Sequence, residues 1–114
     1  MTINILHFFG SICMDPEDGA ALFGTLFPKL KGGESVCVDF SGVTTLTSSF
    51  LNPGIGSLYG HIDLRVVDAL LTVVGLDDVD AALVDEVRKN AIRFFALNHD
   101  QQNHLAAHGP ALTC

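Results

Sequence analysis

Basic residues are scarce in this chain. Six Lys and Arg stand against thirteen Asp and Glu in 114 residues, a formal net charge of −7. A phosphate backbone is held by clustered Lys and Arg, and with no such cluster here the sequence excludes nucleic acid as a partner class. Lysine and arginine are missing altogether before Lys29, so the apolar N-terminus MTINILHFFGSICM lacks the basic segment that opens a secretory signal. It reads as a first strand, and no export is indicated. Long hydrophobic runs are lacking too. The longest, residues 69–76, is broken by Thr72 and Gly75 and falls far short of the ~20 apolar residues that span a bilayer. Cysteine is limited to Cys13, Cys37 and Cys114, an odd number without CxxC spacing, which suits a reducing cytoplasm and not a disulfide framework. Cys37 belongs by pattern to the core, Cys13 to a loop and Cys114 to the final position. No electropositive neighbour in sequence activates Cys13 or Cys114 as a thiolate. The expectation is a soluble, cytoplasmic, single-domain protein.

What is present is an alternation of strand and helix patterns. Ile3, Ile5, Phe8 and Phe9 make a first strand ended by Gly10 and Ser11. Asp15-Pro16 supplies a cap and a first-turn proline. Leu22, Phe23, Leu26, Phe27 and Leu30 then recur at helical spacing, and Pro28 predicts an end or a kink near Phe27. Gly32-Gly33 marks a turn. Residues 36–40, VCVDF, read as a strand covered on both faces, as in a parallel sheet flanked by helices. Beyond residue 50, Ile55, Leu58 and Tyr59 give a helix an inward face, with Gly60 as its stop. Asp63 caps a short helix over residues 64–70, and LTVV at 71–74 reads as a third strand ending at Gly75. Asp77 and Asp78 precede a long helix over about residues 79–97, with Leu83, Val84, Val87, Ala91 and Phe95 on one face and Asp85 to Lys89 as an i,i+4 pair. The predicted fold is α/β, a small mixed or parallel sheet of three to four strands packed by helices in one domain over residues 1–98. Residues 99–114 form a C-terminal tail. Its Leu105 and Leu112 are candidate self-association residues, which leaves a homodimer open.

The most informative stretch is residues 36–50, VCVDFSGVTTLTSSF, a strand running through a Ser41-Gly42 turn into two adjacent serines that open a helix. A serine there is a natural N-cap, worth about 1 kcal/mol, because its oxygen accepts from the first unpaired helical amides. Phosphate at the same place would add about −1.5 to −2 charges where amides and macrodipole favour it by ~0.3–1 kcal/mol. Asp39, closing the strand, reads as a turn or cap partner and not a catalytic base. The glycines of GIGSLYG, Gly54, Gly56 and Gly60, lie inside a helix and are one residue too widely spaced for GxGxxG, so they read as close-packing points and no dinucleotide is implied. His104 and His108 at i,i+4, with His99 nearby, lack a third ligand type, and a solvated tail is the simpler reading than a zinc site. Ser48 has no GxSxG context or motif-level histidine partner, which ranks a small hydrolase last. No cofactor, metal or catalytic residue is expected.

With these residues in place, VDFSGVTTLTSSFLNPGIGSLY at 38–59 resembles the signature of a bacterial STAS-like domain of unknown function, a family akin to the anti-sigma factor antagonist (STAS) domains. VVGLDDVDAALVDEVRKNA at 73–91 is similar to that family's short last strand and terminal helix, and a helix from Asp15 to Leu30 sits where the family has one. The resemblance implies a non-enzymatic protein-interaction module. In the related antagonists an Asp-Ser-Ser-Gly loop is phosphorylated on its first serine by a partner ATPase of the histidine-kinase type. Ser48 falls at that serine, with Thr47 in place of the aspartate and Phe50 in place of the glycine. Ser48 is therefore the candidate phosphoacceptor, ahead of Ser49 and Thr47, and Thr47, Ser48, Ser49, Phe50 and Asn52 form the candidate partner surface. A constitutive scaffold without phosphorylation is the alternative.

Overall fold

The computed structural model describes residues 1–105, with side chains described as far as residue 96. Strand β1 (Thr2–Asn4) leads into helix α1 (Ile5–Phe9), and β2 (Ile12–Cys13) precedes α2 (Pro16–Lys31). Then come β3 (Val36–Asp39), β4 (Thr45–Leu46), α3 (Ser48–Gly54), a 3-10 turn (Gly56–Gly60), α4 (Leu64–Leu70), β5 (Leu71–Val74) and α5 (Asp78–Leu105). The fold is mixed α/β with two small parallel sheets. One is ordered β1-β3-β5, and the other pairs β2 with β4.

In the larger sheet β3 is central. Ile3 lies opposite Val38, and Val38 opposite Val73. Val36 and Val38 are buried while Cys37 and Asp39 are half-buried, so the strand is covered more fully on one face than the other. Against the buried face lies α2, whose Leu22, Leu26 and Leu30 are completely enclosed at i, i+4, i+8. Each such leucine contributes about 1.5–3 kcal/mol by leaving water. Asp15 caps α2 by accepting from the Glu17 amide at 2.8 Å. Pro28 neither ends the helix nor stops its packing: the helix runs on to Lys31. With Gly24 four residues earlier exposed on the solvent side, the proline ring meets a turn that is free to yield.

Three other expectations are corrected. The first strand stops at Asn4 because its side chain accepts from the His7 amide at 3.0 Å and turns the next residues into α1. Phe8 and Phe9 are thus helical. Cys13, expected in a loop, is a fully buried strand residue, whereas Cys37 is only half-buried. The helix expected through Tyr59 is divided, with α3 ending at Gly54 and the 3-10 turn carrying buried Leu58. The predicted long helix is present and continues across residue 98 to Leu105. The side chains of His99, His104 and Leu105, and all of His108, Leu112 and Cys114, lie outside the described residues.

Candidate functional site

The Ser48 junction is assembled from two distant parts of the chain. Chain segment 44–47 runs alongside β2: Thr44 and Thr45 amides donate to the Ser11 carbonyl, and the Thr47 amide donates to that of Cys13 at 3.1 Å. The Thr47 hydroxyl donates to the same Cys13 oxygen at 3.2 Å. This double contact moves the cap. Thr47 and not Ser48 or Ser49 precedes the first helical turn, and its side chain makes no capping bond, since its hydroxyl is already committed to β2. Ser48 and Ser49 are the first two residues of α3, and both are exposed.

Immediately after them the chain turns inward. Phe50 and Leu51 are fully buried, and the Phe50 ring meets Phe9 edge-on at 5.7 Å between centroids. Phe50, grouped by sequence with the partner surface, is a core residue: its ring fills the space between α1 and α3 and offers nothing to the outside. Asn52, one helical turn after Ser48, is exposed on the same side of α3. It forms one wall of a groove of about 310 Å³ whose other side is Asn90, Ala91, Phe94 and Phe95 of α5. Sequence reading missed this groove because its two sides, Asn52 to Ser57 and Asn90 to Phe95, are 33 or more residues apart. The i,i+3/i+4 apolar stripe on α5 was the only available signal.

The frame beneath the site is tight. A Cβ placed on Gly19 of α2 would lie 2.3 Å from the Phe50 carbonyl oxygen and 2.7 Å from Pro53 Cγ, and one on Gly54 would lie 3.2 Å from the Gly19 oxygen. Helices α2 and α3 therefore cross with backbones almost touching. Gly60 does the same for α5, since its Cβ would overlap the Phe95 ring at 2.4 Å. The close-packing role read for Gly54 and Gly60 holds.

Electrostatics are concentrated elsewhere. Asp68 of α4 accepts from the Tyr59 hydroxyl at 3.1 Å and from Arg88 Nε at 3.0 Å, and Arg88 Nη2 forms a second, short bond to the other carboxylate oxygen. Those bonds, the Arg88 one first, hold the Asp68 carboxyl below its usual range. Burial, then the Asp68 charge, pushes Tyr59 up to about 12. The cluster ties α4, the 3-10 turn and α5 together and is a structural joint. Asp39 accepts from both the Ser41 amide at 2.9 Å and the Ser41 hydroxyl at 2.6 Å, the turn role read from sequence, and those bonds lower its pKa. Burial raises the Cys13 thiol, helped by the Asp18 charge, which makes it a poor nucleophile. Among the described residues no group of three His, Cys, Asp or Glu is placed to hold a metal.

The passage from β3 through β4 that presents Ser48 falls within the span of a family model, while β2, to which it is bonded, lies before that span. Residues 18–81 match the STAS-like domain of unknown function, more than half of the chain. The chain belongs to the STAS-like family. No curated protein and no solved structure matches significantly. The STAS-like match includes β3, β4, α3 and β5 and ends just inside α5, so the Asn90 to Phe95 wall of the groove lies beyond it. Among the described residues no helix of this STAS-like protein is long and apolar enough to cross a membrane.

Proposed function

We propose that this STAS-like protein is a non-enzymatic, cytoplasmic protein-interaction module that meets its partner through Thr47, Ser48, Ser49 and Asn52. The observation that supports the reading is the exposed Ser48-Ser49 pair on a fixed mount, with Thr47 bonded twice to Cys13 on one side and Phe50 and Leu51 buried on the other. A rigid, exposed presentation lowers the ordering cost of association. It also leaves the Ser48 hydroxyl free for phosphoryl transfer by a histidine-kinase-like ATPase, and phosphate there would change the charge met by anything docked on α3 by about −1.5 to −2.

Incubation with a cognate histidine-kinase-like ATPase and ATP, read by intact mass, tests the switch. A single added phosphate that disappears in Ser48→Ala supports it. Phosphate retained in Ser48→Ala, or none transferred while the partner still binds, refutes a Ser48 switch and leaves the constitutive scaffold. Equal partner binding by wild type, Ser48→Ala and Ser48→Asp would remove Ser48 from the interface altogether.

A further inference from the structure

We propose that the outer face of the N-terminal segment, built on Phe8, Ile12 and Met14, docks a basic amphipathic segment of another protein. The proposal shares the interaction-module reading, although it requires neither Ser48 nor a phosphate. Among the described residues, four of the ten large exposed apolar side chains fall within residues 6–14: Leu6, Phe8, Ile12 and Met14. Single exposed apolar residues are ordinary, but a concentration of them on one short segment marks an interaction surface. Phe8 is 64 % exposed, Ile12 57 % and Met14 53 %, while Cys13 between the last two is completely enclosed. Strand alternation thus sends Ile12 and Met14 outward together.

The face is preformed. Below Ile12 and Met14, β2 is held to β4 in register Ile12 to Thr45 and Cys13 to Leu46, and below Phe8 its neighbour Phe9 is wedged against Phe50. Charge selects the occupant. Asp15 at the N-cap of α2 and Glu17 and Asp18 in its first turn follow Met14 directly, and no Lys or Arg occurs before Lys29, which lies near the far end of a helix about 24 Å long. A second copy related by a two-fold axis would set those carboxylates against their own images. Anionic lipid would meet the same repulsion. A protein segment that carries Lys or Arg beside large apolar side chains satisfies both features at once.

A labelled amphipathic Lys/Leu peptide is the probe, titrated into the unphosphorylated full chain and read by fluorescence anisotropy, with a Glu/Leu peptide of the same pattern as control. The expected result is binding of the Lys/Leu peptide alone, weakened about tenfold or more by Phe8→Ser or by Ile12→Ser/Met14→Ser, weakened by salt, and reduced by Glu17→Gln/Asp18→Asn. Asp78→Asn/Glu86→Gln removes the same charge at a remote place and should leave binding nearly unchanged. Thermal melts of the variants establish that they fold. Equal loss with the remote pair, or backbone amide shifts on binding that fall outside residues 6–18, would overturn the proposal. So would concentration-dependent dimerisation abolished by Ile12→Ser, because the second copy would then be the occupant. Since Ser48→Ala should bind the probe like wild type, failure here is separable from failure of the phosphorylation switch.

Discussion

Gly19→Ala and Gly24→Ala make the same chemical change on the same helix and should move stability in opposite directions. Replacing a helix-interior glycine by alanine ordinarily stabilises by roughly 0.8–1 kcal/mol, through the smaller entropy of the unfolded chain. At Gly24 a new Cβ meets nothing within 4 Å, so this gain should appear nearly in full. At Gly19 the Cβ would stand 2.3 Å from the Phe50 carbonyl oxygen and 2.7 Å from Pro53 Cγ. The oxygen belongs to backbone and the proline ring is stiff, so α3 must retreat by roughly 1 Å before ordinary contact is restored. That retreat loosens Phe50 and Leu51, both fully buried. Overpacking of this kind costs about 1–3 kcal/mol, and the upper end is expected because no flexible side chain is available to absorb the overlap. After the propensity gain, Gly19→Ala should be destabilised by about 2 kcal/mol. Urea denaturation followed by circular dichroism reads this as a midpoint lowered by on the order of 1 M, given typical slopes, with Gly24→Ala shifted slightly upward. Two variants of equal stability, or a stabilised Gly19→Ala, would refute the claim that α2 and α3 meet backbone to backbone.

Phe50→Ala should cost about 3–5 kcal/mol as a buried aromatic deletion, and Phe50→Gly, which restores the antagonist motif at that position, should be at least as damaging; urea midpoints decide, and a mild effect would return Phe50 to the surface. Tyr59 is the single tyrosine of the chain, so its phenolate absorbance titrates one group, and the folded protein should ionise near 12, pushed up by burial and Asp68. Because the folded value lies above the unfolded one near 10, the associated stability is complete below about pH 10 and is lost as pH rises toward the folded value; Asp68→Asn should move the midpoint down. Asp68 itself has a lowered pKa, so its contribution is complete above the ordinary carboxylate value near 4 and is lost as pH falls from there toward the lowered folded value; urea midpoints measured from about pH 6 downward past 4 should fall more steeply for wild type than for Asp68→Asn.

Much of the architecture was legible because it is written locally. The Asp15-Pro16 start, the Leu22, Leu26, Leu30 stripe, the Asp63 cap and LTVV ended by Gly75 each need only a few neighbouring residues to declare themselves, and each is where those residues put it. The Gly75 φ of 80° is a requirement that glycine alone meets without strain. The first strand failed for an equally physical reason. ILHFF has no strict period, and what ended β1 was a single Asn4 hydrogen bond together with the four-residue length of its partner β3. Of the two outcomes read from Pro28, an end or a kink near Phe27, the end is excluded because α2 runs on to Lys31.

By itself the sequence determined an α/β chain with a hydroxyl-rich passage from a strand through a turn into a helix, since apolar spacing, turn glycines and caps act over distances of a few residues. Only the tertiary structure decided that the Thr47 hydroxyl is bound to β2 instead of capping α3 while Ser48 and Ser49 stay exposed, that Phe50 is core, and that Ile12 and Met14 look outward. Those outcomes depend on contacts such as Thr47 to Cys13, 34 residues apart, and on the approach of two glycine-bearing helices, and pairings across such separations leave no period or motif in the chain to be read.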